Sequence, residues 1–142
     1  MSAGSSTTPL ATKLGVREGN RVLLLHASSG WVVDDLPANV SVARRRSASQ
    51  SDVVIAFFTQ LATLRRELTD LSQQITVSGS LWLAWPRRAG GHESDITDNH
   101  VRAAALPLGL VDVKVAALDA DWSSLKFVWR KERRPDHASG RL

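Results

Sequence analysis

A three-layer α/β sandwich around a mostly parallel sheet is the fold this sequence predicts, on three observations. RVLLLH at 21–26 and DVVIAFF at 52–58 are apolar at nearly every position, as strands buried on both faces must be. Leu61, Leu64, Leu68, Leu71 and Ile75 then recur at steps of three and four, the spacing of one helical face, with Arg65, Arg66, Glu67 and Asp70 largely off it. Buried strands alternating with helices imply right-handed crossovers and a parallel sheet. Near the end, VDVKVAAL and LKFVWRK alternate enough to pair through the turn DADWSS, so the last strand is antiparallel and lies at an edge.

The elements follow in order. Thr8 as N-cap, Pro9 at the first helical position and Gly15 just past the end make PLATKL a helix of one to two turns. A turn at Glu18-Gly19-Asn20 leads into the first strand, and a small-residue loop, HASSG at 26–30, leads out of it. A short helical piece is expected at Trp31 to Leu36 and a weaker second strand at Val40 to Arg44. DVVIAFF is the third strand, followed by the leucine-faced helix. Ser78-Gly79 punctuate the chain before a fourth strand, SLWLAW. Pro86 to Ser94 forms a basic, Gly-containing loop, and a helix runs from about Thr97 to Gly109, bent or shortened by Pro107. Residues 1–8 and 135–142 read as loose tails around one domain at 9–134.

Composition narrows the chemistry. The 142 residues are 43% hydrophobic and 23% charged, enough for a core without a staple. With no Cys, disulfides, thiolate metal sites and Cys nucleophiles are excluded. No apolar run approaches the ~20 residues of a membrane span, and a cytoplasmic protein is expected. The net charge is +4 and the pI about 10.3, with fourteen Arg against four Lys. Arg clusters at 44–46, 87–88 and 130–134 permit an anionic partner and equally suit a solvated face.

The blocks LATKLGVREGNRVLLLHASSG, DVVIAFF, LWLAWPRRAGG, SDITD and LGLVDVKVAALDADWSSLKFVWRK resemble a family of small bacterial proteins known only as a domain of unknown function. More distantly, the order of elements resembles a truncated class I methyltransferase, a Rossmann-like fold. The alternation of strands and helices itself leads us to expect a doubly wound order of 3-2-1-4-5, with the last strand added antiparallel at the edge. Strands one and four then flank the switch point, where the loops HASSGW, PRRAGGHESD and DADWSS converge. The family's cofactor signature is incomplete. The first loop, His26-Ala27-Ser28-Ser29-Gly30, has one Gly, and Arg44-Arg45-Arg46 stands after strand two where ribose recognition calls for an acid.

The leading expectation is therefore a non-catalytic protein that binds a small anionic or nucleotide-like ligand in this crevice, with no cofactor assigned. Ser28, Ser29 and Gly30 are candidate donors, and Arg87, Arg88, Gly90 and Gly91 a candidate anion cradle ahead of a helix N-terminus. Trp31 and Trp122 are candidate walls; Asp119 and Asp121 could hold a hydroxyl or act as a base. The alternatives are an Arg-rich interaction module for nucleic acid or a protein partner, and a methyltransferase-like enzyme. His92, Asp95, Asp98 and His100 match no metal-ligand spacing, and acids in a first helical turn need no metal to explain them. His26 with Ser28 or Ser29 lacks the G-x-S-x-G elbow of a nucleophile triad.

Overall fold

The computed structural model describes residues 8–87 and 94–130. Its six strands form one sheet: β1 Arg21–Leu25, β2 Ser41–Ala43, β3 Ser51–Phe57, β4 Ile75–Pro86, β5 Leu110–Ala117 and β6 Trp122–Trp129. The spatial order is β2-β1-β3-β4-β6-β5, with β2, β1, β3 and β4 parallel and β6 antiparallel to both of its neighbours. The helices are α1 Leu10–Lys13, α2 Leu61–Ser72 and α3 Asp98–Ala105, the last continued by a 3-10 turn at Leu106–Leu108. Among the described residues no helix is long and apolar enough to cross a membrane.

Strand alternation distributes the apolar runs over two cores. Leu23, Leu25, Val54, Ala56, Leu81, Leu83, Leu125 and Phe127 face the layer of α2 and α3. On the opposite face Val22, Leu24, Val53, Ile55, Trp82 and Ala84 meet α1, Val16 and Val33. This explains why β1, β3 and the second half of β4 lack polar alternation: both faces are covered.

The class of fold is as expected, and its details differ in five places. α1 starts at Leu10 with Pro9 as its N-cap, so Pro9 is not the first helical residue and Thr8 supplies no side-chain cap. The third strand does not lie outside the second; β3 sits between β1 and β4. The last strand is antiparallel but lies one place inside the edge, which β5 occupies. Residues 31–36 form no helix, since Val32 and Val33 are β-branched, Asp35 takes a left-handed φ of 58° and Pro37 follows. Ile75 opens β4 instead of closing α2, because the chain turns at Gln73-Gln74. Gly79 is therefore inside a strand, where a Cβ would stand 2.8 Å from Asp52 O and 2.8 Å from Thr76 Oγ1, beside the irregularity between Ser51 and Val53.

α2 has no side-chain cap of its own. Asp95, arriving from the loop before α3, accepts from Leu61 N at 2.8 Å and supplies it. α3 carries a capping box: Thr97 Oγ1 accepts from His100 N, and His100 Nδ1 accepts from Thr97 N. Gly109, at φ 99°, ends the 3-10 turn in a left-handed step.

Candidate functional site

Parallel β1, β3 and β4 end on the same side of the sheet, and the antiparallel return of β6 brings the β5–β6 turn there too. Trp31, from the loop after β1, donates from Nε1 to Asp119 Oδ2 at 3.0 Å. Its ring meets Phe57 edge-on at 4.8 Å between centroids, and Phe57 meets Trp122 edge-on at 5.0 Å. Asp119 Oδ1 accepts from the amides of Asp121 and Trp122, and Arg87 N donates to Asp121 O at 2.8 Å. Trp31, Trp122, Asp119, Asp121 and Arg87 are thus brought together. Ser28 turns its carbonyl to Trp31 N and, at 3.4 Å, to Arg44 Nη1, while Arg44 Nη2 donates to Trp31 O. Ser29 and Gly30 are exposed in the same loop. Arg88, Gly90, Gly91 and His92 lie outside the described residues.

His26, directly after β1, has a left-handed φ of 64°, a backbone state that costs a β-carbon residue energy and points to a constraint. Its Nε2 lies 2.8 Å from Glu67 Oε1 of α2, and its ring is edge-on to Phe58 at 5.4 Å. Arg46 approaches the same carboxylate at 3.8 Å and Asp70 at 3.7 Å. Beside this pair opens a cavity of about 230 Å³ lined by His26, Phe57, Phe58, Thr59, Gln60, Thr63 and Trp122. A second cavity, of about 460 Å³, lies between the end of β4 and the start of α3 and includes Trp85, Arg87, Thr97 and Ser123.

Sequence reasoning missed Glu67 and the Phe57–Thr63 wall because the assumed strand order put the third strand at the far edge. A polar Thr-Gln pair directly after a buried strand was the available signal. Asp95 caps α2, Asp98 pairs with Arg102 at 3.0 Å and His100 belongs to the capping box. Among the described residues no group of three His, Asp or Glu side chains could hold a metal ion.

No family model matches the chain, and no curated protein does. Solved structures match widely. DhpI in its complex with SAH aligns over 87% of this chain and 83% of its own, with a TM-score of 0.59 at 10% identity. A SAM-dependent methyltransferase from Aquifex aeolicus gives 0.57 at 13% identity, over 83% of this chain and 86% of that one. Aeropyrum pernix fibrillarin with natively bound S-adenosyl-L-methionine gives 0.55 at 15%, over 84% and 73%. The fold is the Rossmann-like methyltransferase fold. The expectation of a non-catalytic anion binder is corrected by these likenesses, which recur in structures of proteins that hold SAH or S-adenosyl-L-methionine.

The residues present match such a ligand in kind. The half-buried ring of Trp122 suits a sulfonium cation or a purine, while Phe57 and Phe58 are buried in the cores on opposite faces of the sheet, and His26, Thr59, Gln60 and Thr63 offer donors and acceptors to its polar ends. The departures are equally concrete. Arg44 to Arg46 replace an acid after β2, and Arg44 is committed to the first loop's carbonyls.

Proposed function

We propose that this chain is a methyltransferase-like enzyme that binds S-adenosylmethionine at the carboxyl ends of β1 and β3. The observation that carries this reading is the cavity beside the His26–Glu67 pair, bordered by Trp122, Thr59, Gln60 and Thr63, at the place where an open α/β sheet binds ligands. When bound, S-adenosylmethionine supplies an electrophilic methyl group. Trp122 would face its cation and, with Phe57 packed edge-on against it, exclude water, and Thr59, Gln60 and Thr63 would orient it. His26, oriented by Glu67, would take the proton that a hydroxyl or amine acceptor loses on methylation. The kinship with the small bacterial family of unknown function belongs to this proposal, and it assigns that family the same activity.

The test is a thermal melt of the full chain with S-adenosylhomocysteine and S-adenosylmethionine. Ligand at about 100 times its dissociation constant adds roughly 2.7 kcal/mol, a rise of several degrees in a domain of this size. His26→Ala, at a side chain 45% exposed, should weaken that response without unfolding the protein. Flat melts for both ligands up to about 1 mM, where binding free energy is only about −4 kcal/mol, would overturn the proposal.

A further inference from the structure

The face of the sheet opposite α2 and α3 carries a group of cations that the crevice does not use. In β5 and β6 alternation divides the charges by face. Asp112, opposite Phe127, turns to the helix layer and binds Arg102 Nε at 2.9 Å. Lys114, opposite Lys126, turns the other way. Lys126 Nζ lies 5.9 Å from the centroid of the Trp82 ring on that side, and Gly15 lies beside it, where a Cβ would be in ordinary contact with Nζ at 3.6 Å. Burial, then Lys114, then Arg17 push the Lys126 ammonium below its ordinary range. Lys13 reaches Ala117 O of β5 at 3.5 Å from α1. Among the described residues none of Lys13, Arg17, Lys114 and Lys126 forms an ion pair, and neither does Glu18 beside Arg17.

We propose that this face docks a nucleic acid through its phosphate backbone, without reading its sequence. Four like charges drawn from the α1 region, β5 and β6 are mutually repulsive, and a chain of phosphates relieves all of them at once. The four residues line neither of the two cavities described above, and they are spread over the α1 region, β5 and β6 instead of gathered round a compact metabolite. A protein partner would want an exposed aromatic or aliphatic anchor at the centre of the patch, and the central ring, Trp82, is fully buried. With Trp82 buried, the patch offers the bases no ring to stack on, so the phosphates alone are held. The inference stands apart from the methyltransferase reading and needs no cofactor.

The experiment is fluorescence anisotropy of the full-length protein with labelled oligouridine and a mixed-sequence oligoribonucleotide, over a salt series. Four neutralised phosphates on a single strand predict a slope of log K against log salt near −2.8, so affinity falls roughly 50-fold between 50 and 200 mM. Removing two cations in Lys114→Ala with Lys126→Met should reduce the slope to about −1.4 and the fall to roughly 7-fold. The same charge change on the outer face of α2, Arg65→Ala with Arg66→Ala, should leave both values near those of the parent. Both oligonucleotides should bind alike. No binding at the lowest salt, an unchanged slope in the lysine variant, or an equal loss in the α2 variant would each overturn the proposal.

Discussion

Two side chains on the α1 face of the sheet show how one residue's surroundings set its contribution. Trp82 is fully buried, and its Nε1 donates to Leu14 O at 3.1 Å, tying the end of α1 to the middle of β4. Trp82→Phe keeps most of the ring contact but leaves the Leu14 carbonyl without its partner, so a loss of about 1–3 kcal/mol is expected in urea unfolding. A loss near zero would mean water takes over that carbonyl. Lys126 works in the opposite direction. Because its folded pKa lies below the ordinary lysine value, the unfolded chain holds that proton more tightly, and this group makes stability rise with pH through the alkaline window between the two values. Below that window the full penalty of holding an ammonium beside Lys114 and Arg17 is present. Lys126→Met should therefore raise the melting temperature at neutral pH, and its advantage should shrink as pH climbs toward the ordinary lysine value. Parallel melts of parent and variant check the sign. The sequence marks Trp82 as a core residue through its place in an apolar run, whereas the burden on Lys126 comes from strand pairing and could not be read locally.

At the level of elements, legibility follows the range of the interactions that make each one. α2 is announced by its leucine spacing, and Leu64, Leu68 and Leu71 are buried as that spacing requires. Its N-terminus is another matter, since the cap comes from Asp95, 34 residues away in sequence. Asp95→Ala should cost about 1 kcal/mol, as loss of a cap does, and Asp95→Asn should recover most of it. If both variants matched the parent, Asp95 would have no capping role. β4 reaches back to Ile75 across a Ser-Gly pair that locally signals a break. Gly79 is tolerated there because β3 approaches closely, and Gly79→Ala should destabilise by moving Asp52 O or Thr76. The segment 31–36 shows the converse. Its apolar residues are laid over the sheet as extended chain, with Val33 buried and Trp31 and Leu36 packed alongside, and their spacing resembles helix without making one.

For the whole molecule, local patterns give the number and kind of strands but not their neighbours. The insertion of β3 between β1 and β4 depends on pairings such as Val54 with Leu81 and Leu23 with Val54, for which every apolar strand is an equally good candidate in one dimension. The crevice is assembled by that insertion, so the residues missed at the site are those it delivers. The same topology predicts how stability is distributed. β3 and β4 are buried over most of their length between paired neighbours, whereas β2 is a three-residue edge with every residue exposed. At the other edge β5 is blunted by an irregularity between Asp112 and Lys114, which disfavours pairing with another chain. In hydrogen exchange the amides of β3 and the second half of β4 should be released only by global unfolding, and those of β2 by local opening at far lower cost. S-adenosylhomocysteine should then add protection at 26–31 and 57–63 beyond the general rise, because ordering the crevice loops is local while the stabilisation is global. Protection that rose only in the core strands, with those two segments no slower relative to it, would mean that the ligand sits elsewhere on the molecule and that the crevice at His26 is not its site.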